Sequence, residues 1–403
     1  MATSREQTTQ EQQLPAPDGD FYGIVGTLSQ EHRSLLSQVR AFMEEKVAPI
    51  VNDYWMRDEF PFDVLPAMSD LGIAGTPYEG YGCFGKGTLM DGLVTTELSR
   101  VDPSIATFHG VHSGLAMGSI YLCGSEEQEQ KWLPQMARME KIGAFGLTEP
   151  EIGCGVASGL AATARREGDE WVLNGQKKWI GNATFADVTV IWARDEEDDT
   201  VKGFLVAKGT PGFMAEKMEN KMALRVVQNA FITLDECRVK EEDQLQNANS
   251  FKDTARVLRM TRVAVAWIAV GCGMGAYEHA LAYAQQREQF GRPIGGFQLI
   301  QDLLTQMLGN VTACQCMVWR LSQMQDAGEM KAEHASLAKA FCTTKTRETV
   351  GLARELLAGN GVLIDYNVGR FLADAEAIHS CEGTRQINSL IVGRAITGFG
   401  AFL

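Results

Sequence analysis

The residue whose type and neighbours are best suited to catalysis is Glu382, which stands in the stretch SCEGT at residues 380–384. A carboxylate acts as a general base when it is held in place at a reacting carbon. Thr384 is a helix-capping residue type and precedes a helical segment that runs to Ile396. An ordinary solvated loop would also place a carboxylate there. The assignment of Glu382 therefore depends on the residues that accompany it.

Two other groups of residues suggest ligand binding but lack the required context. Gly153, Gly155 and Gly159 resemble a phosphate loop, but the strand, helix and acidic residue of a dinucleotide fingerprint do not surround them. They are better interpreted as a turn at the edge of a β unit. His109 and His112 have no Glu or third His at metal-ligand spacing, so we expect no metal site. No His comes with the Ser or Cys pattern of a nucleophilic triad.

The composition excludes several classes of protein. Lys and Arg number 37 against 51 Asp and Glu, a net charge of −14, so we predict no nucleic-acid-binding surface. The nine scattered cysteines predict reduced thiols in a cytoplasmic protein. The polar first twenty residues do not form a signal peptide, and the apolar stretch at 263–277 is too short for a membrane span. The C-terminus carries no S-K-L peroxisomal address.

The spacing of hydrophobic residues changes twice along the 403 residues and so divides the chain into three parts. Helical spacing dominates to about residue 140, with a helix over 29–51 that stops near Pro49 and a capping box at 125–128. Short β-branched and aromatic runs follow, and the pair Asn174-Gly175 predicts a hairpin turn. Helical spacing then returns in four long segments, at 253–289, 298–327, 331–358 and 385–396.

The predicted fold class is therefore α+β and mainly α. It consists of a helical N-terminal domain, an antiparallel β middle domain and a C-terminal four-helix bundle. Gly271, Gly273 and Gly275 lie within a helical pattern and predict close helix packing. The predicted boundaries are a flexible tail at 1–24, the N-terminal domain at 25–140, the β domain at 141–252 and the bundle at 253–403.

Five motifs give the chain, from about residue 25 to its end, a specific resemblance to the acyl-CoA dehydrogenase family. They are FGLTEP at 145–150, NGQKKWIGN at 174–182, REQFG at 287–291, ELLAGNG at 355–361 and EGT at 382–384. WIGN at 179–182 and VGRAITG at 392–398 are most similar to glutaryl-CoA dehydrogenases and plant short-chain acyl-CoA oxidases. The resemblance implies fatty acid metabolism, an acyl-CoA substrate, FAD, and a homotetramer in which one subunit completes another's flavin site. It also implies an electron-transferring flavoprotein as the partner that accepts the electrons.

The resemblance also implies a reaction and the residues that perform it. Glu382 would remove the Cα proton of a thioester while a hydride leaves Cβ for flavin N5, with Arg262 and Gly383 binding the substrate at the thioester. In the isovaleryl and long-chain branches the base comes from the position that Thr261 occupies here. The implied contacts to FAD are Phe145, Leu147, Thr148, Cys154, Trp179, Gly181, Arg287, Phe290, Gln298, Glu355, Gly359, Thr384 and Gln386. Of these, the residues from 287 to 298 would reach the FAD of a neighbouring subunit, with Arg287 donating to pyrophosphate.

Four positions depart from the family pattern. Ala106 stands where glutaryl-CoA dehydrogenases have an arginine for the distal carboxylate, so we predict an uncharged acyl chain, because an unpaired buried carboxylate would be costly. Cys154 replaces a serine in the loop toward FAD. Gly181 removes a threonine hydroxyl near the flavin, and Cys381 replaces the tyrosine before the base.

Three functions compete at this stage. The favoured one is an acyl-CoA dehydrogenase, and the rival is an acyl-CoA oxidase that uses O2. Gly181 favours the oxidase, whereas the missing peroxisomal address disfavours it. The third is a non-catalytic flavoprotein scaffold, which the intact Glu382, Arg262 and Arg287 disfavour.

Overall fold

The N-terminal part of the chain is helical. The computed structural model describes residues 14–401, so residues 1–13 of the predicted tail lie outside it, while the Gly19 amide donates to Glu278 at 2.8 Å. The predicted capping box is confirmed, since Ser125 and Gln128 exchange side-chain and backbone hydrogen bonds. The helices are α1 (Gln30–Phe42), α2 (Ala48–Arg57), α3 (Leu65–Asp70), α4 (Gly87–Val101), α5 (Pro103–His109), α6 (Gly118–Cys123) and α7 (Glu126–Ala137).

The first helical segment does not stop near Pro49. The chain passes from α1 through a π-helical turn at Met43–Val47 into α2, which continues to Arg57. Pro49 stands in the first turn of α2, directly after the π-helical turn, and the fixed φ of proline suits that position. The prediction that the helix ends there was wrong for this reason.

The middle domain is a seven-stranded sheet in the order β1-β4-β2-β3-β7-β6, with β5 paired to β4. Its strands are β1 (Gly143–Gly146), β2 (Thr163–Glu167), β3 (Glu170–Gly181), β4 (Val188–Asp195), β5 (Val201–Ala207), β6 (Phe213–Lys217) and β7 (Asn229–Lys240). A short helix, α8 (Val156–Gly159), follows β1. Most pairs are antiparallel as predicted, but β4 pairs in parallel with both β1 and β2.

Asn174 and Gly175 do not form the predicted hairpin turn, because β3 runs through both residues. The turn between β2 and β3 lies at Gly168, whose φ is 67°. Gly175 instead lies at a β-bulge after Leu173, with φ 135°, and a Cβ on it would lie 2.7 Å from the Ala162 Cα. The glycine is required for a close backbone approach, which the Asn-Gly signal does not distinguish from a turn.

The C-terminal domain packs long helices around α9 (Phe251–Gln286). A Cβ on Gly271 or Gly275 of α9 would overlap a backbone oxygen of α4, which confirms the predicted close packing at these two positions, whereas a Cβ on Gly273 would make only an ordinary contact with Val311. The sequence analysis did not predict the helix α12 (Val368–Ser380). The other elements are β8 (Glu288–Gln289), β9 (Arg292–Pro293), α10 (Gln298–Asp326), α11 (Ala332–Leu356) and α13 (Arg385–Thr397).

The predicted order of a helical domain, a β domain and a helical bundle is confirmed. By length and composition, α9 is apolar enough to cross a membrane, but 72% of its most apolar window is buried inside the protein. The central helix of a bundle is also apolar around most of its circumference, because neighbouring helices cover it.

Candidate active site

Glu382 lies in the loop between α12 and α13. Its φ is 51° and that of Gly383 is 86°, so two successive residues adopt the left-handed conformation. For a residue with a side chain this conformation costs roughly 1–3 kcal/mol and persists only when the surroundings hold it. Thr384 provides part of the support, since its hydroxyl accepts a hydrogen bond from the Ile387 amide and caps α13 as predicted.

Lys339 of α11 holds the same loop from the protein interior. Its side chain is fully buried, and Nζ donates to the carbonyl oxygens of His379 at 2.7 Å and Gly383 at 2.8 Å. The side-chain amide of Asn388 also donates to the Gly383 oxygen, at 2.9 Å. These carbonyls flank Glu382, so Lys339 fixes the backbone on both sides of the carboxylate. No motif in the sequence pointed to this lysine.

The Glu382 carboxylate meets α9 at Thr261, whose Oγ1 donates to Oε2 at 3.1 Å. Arg262 lies near enough to act on the carboxylate electrostatically, and its Nε is buried without a hydrogen-bond partner in residues 14–401. Burial raises the pKa of Glu382 above 4.5, while Arg262, Thr261 and Lys339 act to lower it. A carboxyl group with a raised pKa is a stronger base once it is ionised.

Three predicted site residues follow one another at the end of β1. Phe145 and Leu147 are buried, and Thr148 comes directly before Glu149. Lys177 of β3 forms a buried ion pair with Glu149 at 2.8 Å and donates to the Leu147 oxygen at 3.1 Å. Burial lowers the pKa of Lys177 to about 8. This pair, which the sequence analysis did not identify, fixes the backbone of the segment.

A second bulge in β3 turns Trp179 outward. The register against β7 shifts between Lys177 and Ile180, the φ of Trp179 is 67°, and its side chain is 55% exposed. Gly181 adds bare backbone close by, and a Cβ on it would lie 3.1 Å from Val111 Cγ2. The exposed indole of Trp179 thus offers an apolar surface at this end of β3.

This surface lies one helical turn from the partner of Glu382. The π-helical segment Gly110–Met117 carries Val111, which faces Gly181, and Gly114, on which a Cβ would lie 3.5 Å from Thr261 Cγ2. The segment therefore brings the end of β3 and the middle of α9 together. Gly110–Met117 thus lies between Gly181 of β3 and Thr261, the residue of α9 that contacts Glu382.

Cys154 and Gln386 lie at the edge of this site. Cys154 is exposed and lies within electrostatic range of Arg262 and Lys339, which places its loop near the proposed base. Gln386 is exposed in the first turn of α13, two residues after the cap Thr384.

Arg287, Phe290 and Gln298 lie beyond the far end of α9. The helix ends at Gln286, 24 residues after Arg262, which corresponds to roughly 36 Å at the helical rise. All three predicted residues are exposed, and the Phe290 side chain is 93% exposed. Within one chain they cannot contact the same ring as Glu382.

Glu355 and Gly359 form a further exposed group at the end of α11. Glu355 lies 16 residues after Lys339 on that helix, or roughly 24 Å along its axis. The structure thus divides the predicted residues into a group around Glu382 and two distant exposed groups.

The residues around Glu382 fit FAD. A flavin ring needs a flat apolar surface, and the exposed indole of Trp179 offers one. A pyrophosphate needs cationic donors, and the exposed Arg287 guanidinium is one, although it lies roughly 36 Å along α9 from Arg262 and so not around Glu382. No group of three or more His, Cys, Asp or Glu side chains suited to a metal ion occurs in the part of the chain described.

Comparison with known proteins gives a consistent result along the whole chain. Family models described as acyl-CoA dehydrogenase N-terminal, middle and C-terminal domains match residues 29–140, 144–237 and 251–397. An acyl-CoA dehydrogenase of Bacillus subtilis (strain 168) is 32% identical over 376 residues, covering 92% of this chain and 99% of that protein.

Comparison with solved structures points to the same family. Glutaryl-CoA dehydrogenase from Mycobacterium smegmatis matches with a TM-score of 0.92 at 37% identity, over 96% of this chain and all of that one. A glutaryl-CoA dehydrogenase from the same organism in complex with FADH2 matches with a TM-score of 0.93 at 33% identity, over the same shares.

Proposed function

This chain belongs to the acyl-CoA dehydrogenase family, and on that premise we propose that Glu382 is the base that removes the Cα proton of a short-chain, uncharged acyl-CoA thioester. The family makes the chain an FAD-dependent oxidoreductase. The observation that supports Glu382 as the base is the contact of its Oε2 with Thr261 Oγ1, at 3.1 Å. It holds the carboxylate beside α9, one helical turn from the surface that carries Trp179 and Gly181.

The chain's own residues account for the proton transfer. The Cα proton passes to a Glu382 carboxylate oxygen, and the pair of electrons from that bond moves toward the thioester carbonyl. Burial favours this transfer because it raises the pKa of Glu382. Arg262 and Lys339 supply positive charge near the enolate-like charge that develops. FAD, when bound, supplies the acceptor for the hydride that leaves Cβ.

The Glu382–Gly383 backbone would orient the thioester. In residues 14–401 the Glu382 amide has no hydrogen-bond acceptor, and Lys339 holds the carbonyl groups of His379 and Gly383 on either side of it. A backbone N–H held rigidly in this way can donate to the thioester oxygen more strongly as that oxygen gains charge. Glu382 would thus act through both its side chain and its backbone.

The cofactor would be held by two subunits. Phe145, Leu147, Thr148, Trp179 and Gly181 would contact the flavin ring, and the loop of Cys154 would close over it, with Thr384 and Gln386 adding contacts from α13. The exposed hairpin with Arg287, Phe290 and Gln298 would reach the FAD of a neighbouring subunit, and Glu355 and Gly359 the adenosine end. A homotetramer in the cytoplasm, with an electron-transferring flavoprotein as its partner, completes the proposal.

The acyl chain would carry no negative charge. Ala106 is fully buried in the core of the N-terminal domain, so the position of the carboxylate-binding arginine offers neither charge nor hydrogen bond. An acyl carboxylate placed there would lose its hydration without compensation. Butyryl-CoA should therefore reduce the flavin faster than glutaryl-CoA, although two of the solved relatives are named for glutaryl-CoA.

An oxidase remains the second candidate because of Gly181. A Cβ on this residue would lie 3.1 Å from Val111 Cγ2, so the position leaves little room for the threonine of other members and offers no hydroxyl. Release of hydrogen peroxide under air at the rate of thioester turnover would identify an oxidase. A dehydrogenase would instead turn over only with an added electron acceptor.

Glu382→Gln tests the proposed base. The amide keeps the size of the side chain but cannot accept the Cα proton, so the variant should bind FAD yet lose nearly all flavin bleaching in an anaerobic titration with butyryl-CoA. Glu45→Gln, on an exposed turn, is the matched control and should bleach normally. Bleaching of Glu382→Gln at the wild-type rate would exclude Glu382 as the base.

A further inference from the structure

Two hydrogen bonds from outside β3 hold the bulge that carries Trp179. The Lys178 amide donates to the Thr148 carbonyl oxygen at 2.8 Å. The side-chain amide of Asn229, the first residue of β7, donates to the Trp179 carbonyl oxygen at 3.3 Å. The φ of Trp179 is 67°, a conformation that persists only when its surroundings hold it. The direction of the exposed indole therefore depends in part on Asn229.

A buried lysine fixes which way the Asn229 amide faces. Lys221 lies in the loop between β6 and β7, its side chain is 7% exposed, and its Nζ donates to Asn229 Oδ1 at 3.2 Å. An ammonium group can only donate, so the amide oxygen must face Lys221, and the NH2 group is left for the Trp179 carbonyl. In the opposite orientation donor would face donor, and acceptor would face acceptor.

The ammonium group of Lys221 uses all three of its hydrogens in this part of the chain. Besides Asn229, it donates to the carbonyl oxygens of Leu224, at 3.0 Å, and of Val227. Burial lowers the pKa of Lys221 to about 8, against the opposing effect of Asp58, whose Oδ1 lies 3.9 Å from Nζ. The lysine is therefore charged at neutral pH. Its charge is needed, because a neutral amine has only two hydrogens for three acceptors.

The loop that carries Lys221 is also tied to the helix that precedes the proposed base. The Leu224 amide donates to Asp374 Oδ1 at 2.6 Å, and Asp374 is fully buried on α12, eight residues before Glu382. The loop thus has one contact with the helix that leads to Glu382 and another, through Asn229, with the bulge of Trp179. Lys221 therefore acts from a loop that is itself anchored.

Resting on the proposed function, in which Trp179 contacts the flavin ring, we propose that Lys221 and Asn229 are positioning residues that hold the Trp179 indole against the flavin of bound FAD. Lys221 sets the orientation of the Asn229 amide, and Asn229 fixes the peptide that follows the indole. Both residues act through Trp179. Loss of either hydrogen bond should release the bulge and move the indole away from the ring.

The test observes oxidised FAD at rest, with no thioester present, so the result does not depend on proton transfer to Glu382. An indole in contact with a flavin ring quenches the fluorescence of the flavin, and Trp179→Leu defines the emission of bound FAD without that indole. Asn229→Asp is the sharpest change, because a carboxylate still accepts from Lys221 but cannot donate to the Trp179 carbonyl. Its bound FAD should emit nearly as strongly as that of Trp179→Leu. Calorimetry of the apoprotein with FAD should show affinity weakened roughly 3- to 10-fold.

Two further variants complete the test. Asn220→Asp adds the same charge at an exposed position of the same loop, so emission and FAD affinity should stay at the wild-type values. Lys221→Met removes the donor that orients Asn229, so the emission of bound FAD should rise as in Asn229→Asp. Because Asn229→Asp keeps the contact with Lys221, it leaves a folded protein to measure if Lys221→Met is unstable.

Each outcome separates this inference from the function on which it rests. Wild-type emission and affinity in Asn229→Asp would show that Asn229 does not position the indole. A rise in Asn229→Asp without one in Lys221→Met would remove Lys221 from its role. Unchanged emission in Trp179→Leu would mean that the indole does not contact the flavin, and the inference would fail with that contact. An enzyme that binds FAD but is bleached by no thioester would instead contradict the proposed function.

Discussion

At Glu382, burial and the neighbouring groups act in opposite directions on the pKa. Burial raises it above 4.5, whereas Arg262, the Thr261 hydroxyl and Lys339 lower it. The ionised carboxylate is the form that removes a proton, so flavin reduction should rise with pH as Glu382 loses its proton. The sequence pointed to Glu382 as the proposed base, but it did not reveal Thr261 as its hydrogen-bond donor, because the two residues lie 121 positions apart.

Thr261→Val should move this rise in activity to higher pH. The methyl group of valine cannot donate to Oε2, so the ionised form of Glu382 loses a stabilising hydrogen bond and its pKa rises further. Stopped-flow flavin reduction in a pH series that begins near 4.5 measures the shift. Thr344→Val, which removes an exposed helix hydroxyl from α11, should leave the profile in place. A profile for Thr261→Val that coincides with the wild type would refute the proposed coupling.

At the scale of elements, α11 positions the loop that carries the base. Lys339 lies on the helix face that also buries Ala335, Ala338 and Cys342, and a lysine on such a face is the only sequence signal of its role. The carbonyls that it holds belong to α12 and to the following loop, and α12 itself was not predicted. The partners of Lys339 are set by tertiary packing, which the spacing of hydrophobic residues along the chain does not reveal.

Lys339→Met should slow flavin reduction while FAD stays bound. The His379 oxygen loses its donor, at roughly 1–3 kcal/mol for a buried group, and the Gly383 oxygen keeps only Asn388, so the loop moves and the melting temperature falls. The lost positive charge should also raise the pKa of Glu382 and displace its pH profile upward, which a purely structural defect would not do. Lys252→Met, an exposed lysine of α9, is the control. Unchanged reduction and an unchanged pH profile would show that Lys339 does not position the base.

Local sequence signals predicted the helix caps correctly, because a cap needs only neighbouring residues. They gave a wrong turn where pairing between distant strands sets the backbone conformation. The capping box at Ser125 and the cap at Thr384 need only neighbouring residues, and both are present. Gly175 carries the strongest hairpin signal in the sequence, yet the pairing of β3 with β2 and β7 makes it a bulge. The buried pair of Lys177 and Glu149 joins β3 to the segment after β1, so no spacing rule identifies it.

At the scale of the whole molecule, the length of α9 separates Glu382 from Arg287. Roughly 36 Å of helix lies between Arg262 and the end of α9, so one subunit cannot supply both residues to one cofactor. The site would then be complete only between subunits, with the exposed Phe290 and Arg287 of one copy against the FAD of another. The sequence located both residues through family motifs, whereas the distance between them required the structure.

Mixed assemblies test this arrangement. When Glu382→Gln and Arg287→Ala subunits carry different tags and are purified as a mixed complex, one class of site contains both changes and the other contains neither. Anaerobic titration with butyryl-CoA should then bleach about half of the flavin that the wild type bleaches, because sites form in symmetric pairs. Each variant alone should bleach far less. If the mixed complex bleaches no more flavin than the two separate variants, a single subunit supplies both residues to its own site and the arrangement is wrong.

Removal of the Cα proton, measured apart from any hydride transfer, tests the central claim most directly. In 3-thiabutyryl-CoA a sulfur replaces Cβ, so no hydride can leave, and proton NMR in D2O follows exchange at Cα alone. The wild-type enzyme loaded with FAD should catalyse this exchange, and Glu382→Gln should slow it by roughly 100-fold or more. Exchange by Glu382→Gln at the wild-type rate would contradict the account.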